Sequence, residues 1–215
     1  MRMKGFITFE GGECSGKTTI IKELAKDFTN KGIDFITTRE PGGIKISEEI
    51  RNIILDNTNT MMVPEVEALL YAASRMQHLC ERVIPAVKEN KIILCDRYLD
   101  SSLAYQGYAR GLGMDSVLKA NSFALDYLPD LTIYIDVTPE VALKRMENQD
   151  RGGKKDRLDS EGIKFHQMVY LGYHEVLKMY PNRIKVVDGS RPLVEVINDV
   201  KKIIYSYLEE INERK

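Results

Sequence analysis

Short apolar runs alternate with longer amphipathic stretches along this chain, and that alternation predicts most of its architecture. Gly5-Phe6-Ile7-Thr8-Phe9 has the composition of a buried strand, after which Ile20, Ile21, Leu24, Ala25 and Phe28 recur at helical spacing. Ile33 to Thr37 reads as a second strand, Ile92-Ile93-Leu94-Cys95 (ending in Asp96) as a third, Leu131 to Val137 as a fourth and Ile184 to Val187 as a fifth. Between the second and third lies a long helical stretch with Val66, Leu69, Leu70, Ala73, Met76, Cys80, Val83 and Val87 on one face; Pro85 kinks or ends it. Thr138-Pro139 is a helix start, with the hydroxyl as cap and proline in the first turn. Val196, Ile197, Val200, Ile203, Ile204 and Leu208 define the last helix. Strands alternating with helices imply parallel pairing, so the expected class is α/β, a five-stranded parallel sheet with helices on both faces.

One segment breaks the rhythm. Gln149 to Asp156 is polar, charged and glycine-containing between two helical patterns, which is the composition of a mobile surface loop. With 215 residues and no repeat or linker, the chain 1–215 suits one domain. The net charge of −1 supplies no global field for a nucleic acid polymer or an anionic membrane, so any cationic site must be local. No apolar run reaches the roughly 20 residues that span a bilayer. Met1-Arg2-Met3-Lys4 runs straight into the first strand pattern without a signal-peptide stretch, so a cytoplasmic location is expected. Cys14, Cys80 and Cys95 are odd in number and lack a CxxC pair, against a disulfide framework or a structural zinc site.

The chemistry begins with Gly11-Gly12-Glu13-Cys14-Ser15-Gly16-Lys17-Thr18, a complete G-x-x-x-x-G-K-[ST] phosphate-binding loop between a predicted strand and a predicted helix. Its glycines let backbone N–H groups curl around phosphate oxygens, and the helix amino terminus adds partial positive charge there. Lys17 is the candidate for the β- and γ-phosphates and the Thr18 hydroxyl for Mg²⁺, with Thr19 completing the nucleotide-binding run. This identifies a nucleotide site, not a reaction.

Four motifs in register narrow the reaction. Phe9 through Thr19, Thr38-Arg39-Glu40-Pro41-Gly42-Gly43, Leu69-Leu70-Tyr71-Ala72-Ala73-Ser74-Arg75, and Asp96-Arg97-Tyr98 continuing through Ser101, Ser102, Ala104, Tyr105 and Gln106 resemble the motifs of thymidylate kinases. The resemblance covers essentially the whole chain. It implies the fold of the P-loop nucleoside monophosphate kinases with a short lid at about 148–158, transfer of phosphate from ATP to dTMP, Mg²⁺ as the cofactor ion, and a homodimer.

The residues make independent sense of that chemistry. An acceptor monophosphate brings a dianion beside the γ-phosphate, and fixed cations must offset the repulsion. Arg39 and Arg97 each follow a predicted strand, at the sheet edge where ligands bind in open α/β folds, and arginine offers the two-pronged donor that suits phosphate. Asp96 either reaches Mg²⁺ through water or positions Arg97. By resemblance, Glu13 contacts the sugar 3′-hydroxyl and orients the arginine; Tyr71 stacks on the pyrimidine where the family usually has phenylalanine; Arg75, four residues on, donates to O4. Ser102 or Gln106 contacts N3 and O4, Pro41 lies near the 5-methyl group, and Tyr105 crowds the 2′ position. The basic loop carries Arg151, Lys154, Lys155 and Arg157, whereas the interior of the phosphate loop carries no cation. This resembles the bacterial type with its catalytic arginine in the lid, supplied by Arg151 or Arg157. The loop Asp188-Gly189-Ser190-Arg191-Pro192 is similar to those lying against adenine. A kinase for another monophosphate and an ATP-driven partner-binding module remain the rival readings at this point.

Overall fold

The computed structural model describes residues 2–148 and 156–213. Five strands, β1 (Arg2–Glu10), β2 (Phe35–Arg39), β3 (Ile92–Asp96), β4 (Leu128–Asp136) and β5 (Ile184–Asp188), form one sheet in the order β2-β3-β1-β4-β5. Each neighbouring pair is parallel, with Phe9 opposite Asp96 and Thr38 opposite Cys95. The expected sheet is therefore present, but β2 begins two residues later than its apolar run. Gly32 takes φ +65°, and the Ile33 N–H turns back to the Phe28 carbonyl at 3.0 Å, closing the preceding helix instead of joining the sheet.

The helices are α1 (Lys17–Asn30), α2 (Lys45–Leu55), α3 (Pro64–His78), α4 (Ile84–Lys88), α5 (Leu99–Ser102), α6 (Met114–Ala120), α7 (Pro139–Asn148), α8 (Ile163–Met179) and α9 (Leu193–Glu213). Pro139 opens α7 as the sequence suggests. Pro85 does not break the long helical stretch. A π-helical segment, Leu79–Val83, joins α3 to α4 just ahead of it, widening the helix where the proline ring has no N–H to donate and would crowd the carbonyl four residues back.

One sheet face is sealed by α1 and α9: Ile7, Phe9, Leu94, Ile133 and Ile135 pack against Ile20, Leu24, Phe28, Val196, Val200 and Ile204. The opposite face starts apolar, with Phe6, Ile93 and Cys95 under Leu79 and Val83. It turns polar toward the carboxyl ends of the strands, where Thr8 Oγ1 meets Thr132 Oγ1 at 2.7 Å and Glu10 follows. Beside these, Tyr134 packs with Leu103, Ala104, Tyr105, Tyr173 and Val176. Gly172 of α8 lies against the π-helical segment Leu103–Ala109; a Cβ there would stand 2.8 Å from the Ala104 carbonyl oxygen.

The sequence reading of α3 needs correcting. Its apolar stripe is not the buried face: Val66, Leu69 and Met76 are exposed, as are Ala73 and Cys80. The buried side is polar, with Glu67, Ser74, Arg75 and His78 beside Ala68 and Ala72. Periodicity marks that a helix has two faces; here polar partners, not apolar burial, hold the inner one.

Candidate active site

The loop between β1 and α1 is shaped by backbone constraints that its sequence anticipates. Gly11 takes φ +144° and passes so near β4 that a Cβ would lie 2.6 Å from the Ile135 carbonyl oxygen. Gly16, at φ +96°, opens α1. Lys17 folds back over the loop, its ammonium donating to the carbonyls of Gly11 (3.0 Å) and Gly12 (2.8 Å) and to Ser15 Oγ (3.0 Å). Burial, with Arg97 adding to it, lowers the Lys17 pKa to about 8. Thr18 Oγ1 donates to Asp96 Oδ2 at 2.8 Å, so these two residues stand together at the strand ends.

Arg97 is the hinge of the site. It holds φ +68°, a backbone conformation that non-glycine residues adopt only when their surroundings fix it. Its guanidinium donates to the Gly11 carbonyl (2.8 Å), to the Tyr173 hydroxyl (3.0 Å), to Ser101 Oγ (3.2 Å) and to Glu13 (2.5 Å). Burial alone would raise the Glu13 carboxyl, but Arg97 and Lys17 together bring it down to about 2. Beneath lies Glu10, whose carboxylate accepts from the Tyr98 N–H (2.7 Å), Ser101 Oγ (2.5 Å) and the Tyr173 hydroxyl (3.0 Å). Burial and the charge of Asp100 push Glu10 up to about 7, against the pull of the Ser101 bond and Arg97. Asp100 is itself paired with Arg183 at 2.7 Å, both fully buried.

Two cavities meet at this arginine. The first is walled by Pro41, Tyr71, Arg75, Tyr105 and Gln106, together with Glu13 and Arg97. The second runs over the phosphate loop from Glu13 to Thr19 and reaches Arg39 and Asp96. Glu13, Glu40, Arg51 and Arg97 line both. Of the sequence-predicted site residues that the structure describes, all but Gly11, Gly12, Ser102 and Arg157 line these two cavities, and the Gly11 and Gly12 carbonyls join them through Lys17 and Arg97.

Ser102 is turned away. Among the described residues, the wall holds its neighbour Ser101, while Ser102 Oγ accepts from Arg75 Nη2 at 3.0 Å. Arg75 is fixed from three sides, also donating to Glu40 (2.7 Å) and Asn121 (2.6 Å). Tyr105 donates to Glu13 at 3.1 Å and lies under the Arg97 guanidinium. Arg39 is gripped by both carboxylate oxygens of Glu48 at 2.8 Å. Arg157 donates to the Ile54 carbonyl (2.8 Å) and to Glu67 (2.5 Å), because a carboxylate shut inside needs a cation. Arg151, Lys154 and Lys155 lie outside the described residues. Asp156 and Leu158, which follow them, help to wall the first cavity.

Sequence reasoning missed Arg51, which lines both cavities and donates to the Pro41 carbonyl at 3.0 Å. It also missed Arg145 of α7, which donates to the Gly189 carbonyl at 2.7 Å and reaches the Cys14 carbonyl at 3.5 Å. That contact joins the phosphate loop to the loop after β5. Glu67 was missed too, although 67, 71 and 75 recur at one helical turn and so share a face with two residues already singled out.

This geometry is joined by sequence kinship. The family model "Thymidylate kinase" matches residues 9–200. The thymidylate kinase of Clostridium novyi is 54% identical over 203 residues, covering 94% of this chain and 98% of that protein. That of Bacillus licheniformis is 52% identical, covering 95% and 97%. The crystal structure of the Ehrlichia chaffeensis thymidylate kinase, 30% identical, superposes with a TM-score of 0.75 over 93% of this chain and 97% of that one. Matches of this breadth take in the strand-end arginines, the phosphate loop and α3 alike, and the chain belongs to the thymidylate kinase family.

Proposed function

We infer that the protein phosphorylates dTMP to dTDP with ATP as donor, a step toward dTTP. The observation that carries this is the shared wall: the Glu13–Arg97 pair borders both cavities, so a nucleotide phosphate in each would meet across one guanidinium. The acceptor phosphate is already anionic at neutral pH and needs no strong general base, so catalysis is alignment and charge neutralisation. Lys17 and the backbone from Gly11 to Thr19 hold the donor phosphates, while Arg97, Arg39 and Arg51 hold the acceptor phosphate. Tyr71 stacks on the base, Arg75 and Gln106 meet its polar edge, Pro41 faces the 5-methyl group, Tyr105 crowds the 2′ position, and Glu13 takes the 3′-hydroxyl.

The Thr18 hydroxyl and the Asp96 carboxylate offer hard oxygen donors side by side, which suits Mg²⁺. Among the described residues no cage of three or more metal-binding side chains forms, consistent with an ion held largely by phosphate and water. Bound there, Mg²⁺ would neutralise charge on the β- and γ-phosphates.

The lid spans about 148–158 of a single 1–215 domain. With Arg157 committed to Glu67, we assign to Arg151 the cation that closes on the transferring group. The exposed apolar side chains of α2 and α3 (Ile46, Ile53, Val66, Leu69 and Met76) support a homodimer through this face. Three widely spaced cysteines without a CxxC pair fit a reducing cytoplasm, and no described helix is long and apolar enough to cross a membrane.

A coupled ADP-release assay with dTMP, dUMP, dCMP, UMP and AMP side by side tests the reading. ATP turnover dependent on dTMP, and well above that with the cytosine and adenine nucleotides, is expected; turnover indifferent to the acceptor would overturn it.

A further inference from the structure

Glu67 lies shut beneath the inner face of α3, 1% exposed, with a carboxylate that serves three side chains. Its Oε1 accepts from Gln106 Nε2 at 2.9 Å and from Arg110 Nε at 3.3 Å; its Oε2 accepts from Arg157 Nη2 at 2.5 Å and from Arg110 Nη2 at 3.2 Å. Burial would favour protonation, but the Gln106 bond and the two guanidinium groups outweigh it and hold the carboxyl below its ordinary value. The group is therefore ionised, and an ionised carboxylate only accepts hydrogen bonds.

That has a consequence for Gln106. Its amide has one donating end and one accepting end, and Glu67 can be satisfied only by the donating end. The carbonyl oxygen is then the end left for the cavity whose wall Gln106 forms. We propose that Glu67 is a specificity-determining residue that acts through Gln106, fixing its amide so that an acceptor faces the N3 edge of a bound pyrimidine. Thymine and uracil carry a hydrogen on N3 and satisfy that acceptor; cytosine presents a bare N3 lone pair and leaves two acceptors facing each other. This rests on the reading that a pyrimidine monophosphate occupies the cavity. A second wall residue selects in the same sense. Arg75 offers only donors, which suit an oxygen at C4 and oppose an amino group. It too is held by residues that fix its direction: Glu40, Ser102, and Asn121, whose own amide is anchored by donation to the Val117 carbonyl at 2.9 Å.

The lock fails in a predictable way. In Glu67→Gln one oxygen replaces two, while Arg110, Arg157 and Gln106 all still offer donors. The charged guanidinium groups form the stronger bonds, so the Gln106 amide is released to rotate and offer its NH₂ to the base. The experiment measures kcat/KM for dTMP and dCMP on the wild type and on E67Q, with thermal melting of both. The expected result is a fall of at least about tenfold in the dTMP/dCMP ratio, because a mis-set polar contact discriminates by such factors. Loss of activity on both substrates in equal proportion would overturn the proposal, since a purely structural role lowers both alike. If E67Q does not fold, the charge-balanced E67M/R110M double variant, which leaves Gln106 no acceptor at this position, takes its place, with the same ratio as readout. A wild type that ignores dTMP would sink the assignment of function itself; a wild type that prefers dTMP with an E67Q ratio unchanged sinks only the role of Glu67.

Discussion

The two cavities that meet at Arg97 are built on different principles. The phosphate cradle is mostly backbone: Gly11 and Gly16 in conformations that glycine adopts freely, carbonyls that anchor Lys17, and a helix amino terminus. The base pocket is mostly side chain. Two of its polar wall residues are held by partners distant in sequence, Arg75 by Glu40 and Asn121, and Gln106 by Glu67. On the proposed assignment the cradle would recognise what every nucleotide has in common, and the pocket what distinguishes one from another. Damage to the first should therefore lower turnover with all acceptors in proportion; damage to the second should change their ranking.

The largest effect is expected at Arg151, the residue proposed above for the transferring group. Arg151→Ala should lose roughly 10³-fold or more in kcat, the range for groups that neutralise the transferring phosphoryl, whereas Arg157→Ala should change kcat far less and instead lower the melting temperature. Steady-state kinetics with melting curves on both variants separates these roles; two variants with near wild-type turnover would end the lid assignment. Lys17→Ala should follow, at about 10²- to 10³-fold in kcat for the loss of one preorganised donor, with dTMP and dUMP equally affected. Unequal losses would break the division between the two regions.

On the pocket side, Tyr71→Ala removes the stacking surface, worth about 1–3 kcal/mol per base. It should raise the KM for dTMP by about 10- to 100-fold while the KM for ATP stays put. A parallel rise in both would place Tyr71 outside the base pocket.

The smallest effect concerns Glu10, which supports both regions from below. Its carboxyl is raised from 4.5 to about 7, so the folded state binds its proton more tightly than the unfolded chain does. The resulting stabilisation is complete below pH 4.5 and is lost as pH rises through about 7. Glu10→Gln escapes that loss. Its melting temperature relative to wild type should climb between pH 5 and pH 8, and a difference independent of pH would show that Glu10 does not titrate there.

The same division explains what could be read from the amino-acid order. The cradle was legible because its determinants are contiguous: a strand, two obligatory glycines, a lysine and a helix start within one short stretch. The sheet was legible for a similar reason, since each strand is a compact apolar run; Ile33 misled, because its N–H closes a helix. The pocket was legible only where family motifs named its residues. Arg51, Glu67, Asn121 and Arg145 acquire their roles through partners that only folding brings near. The inner face of α3 shows the difficulty most plainly. Its spacing signalled two faces, but hydrophobicity pointed to the wrong one as buried, because Glu67, Arg75 and His78 are held inside by charge and hydrogen bonds rather than by apolar contact.

The glycine at 172 gives this arrangement a mechanical meaning. With no side chain on Gly172, α8 rides directly on the Ala104 backbone and the Tyr108 Cβ, and so on the stretch that carries Tyr105 and Gln106. α8 is thus seated, without slack, on the platform that carries Tyr105 and Gln106, so that any tilt of the one is delivered to the other as displacement.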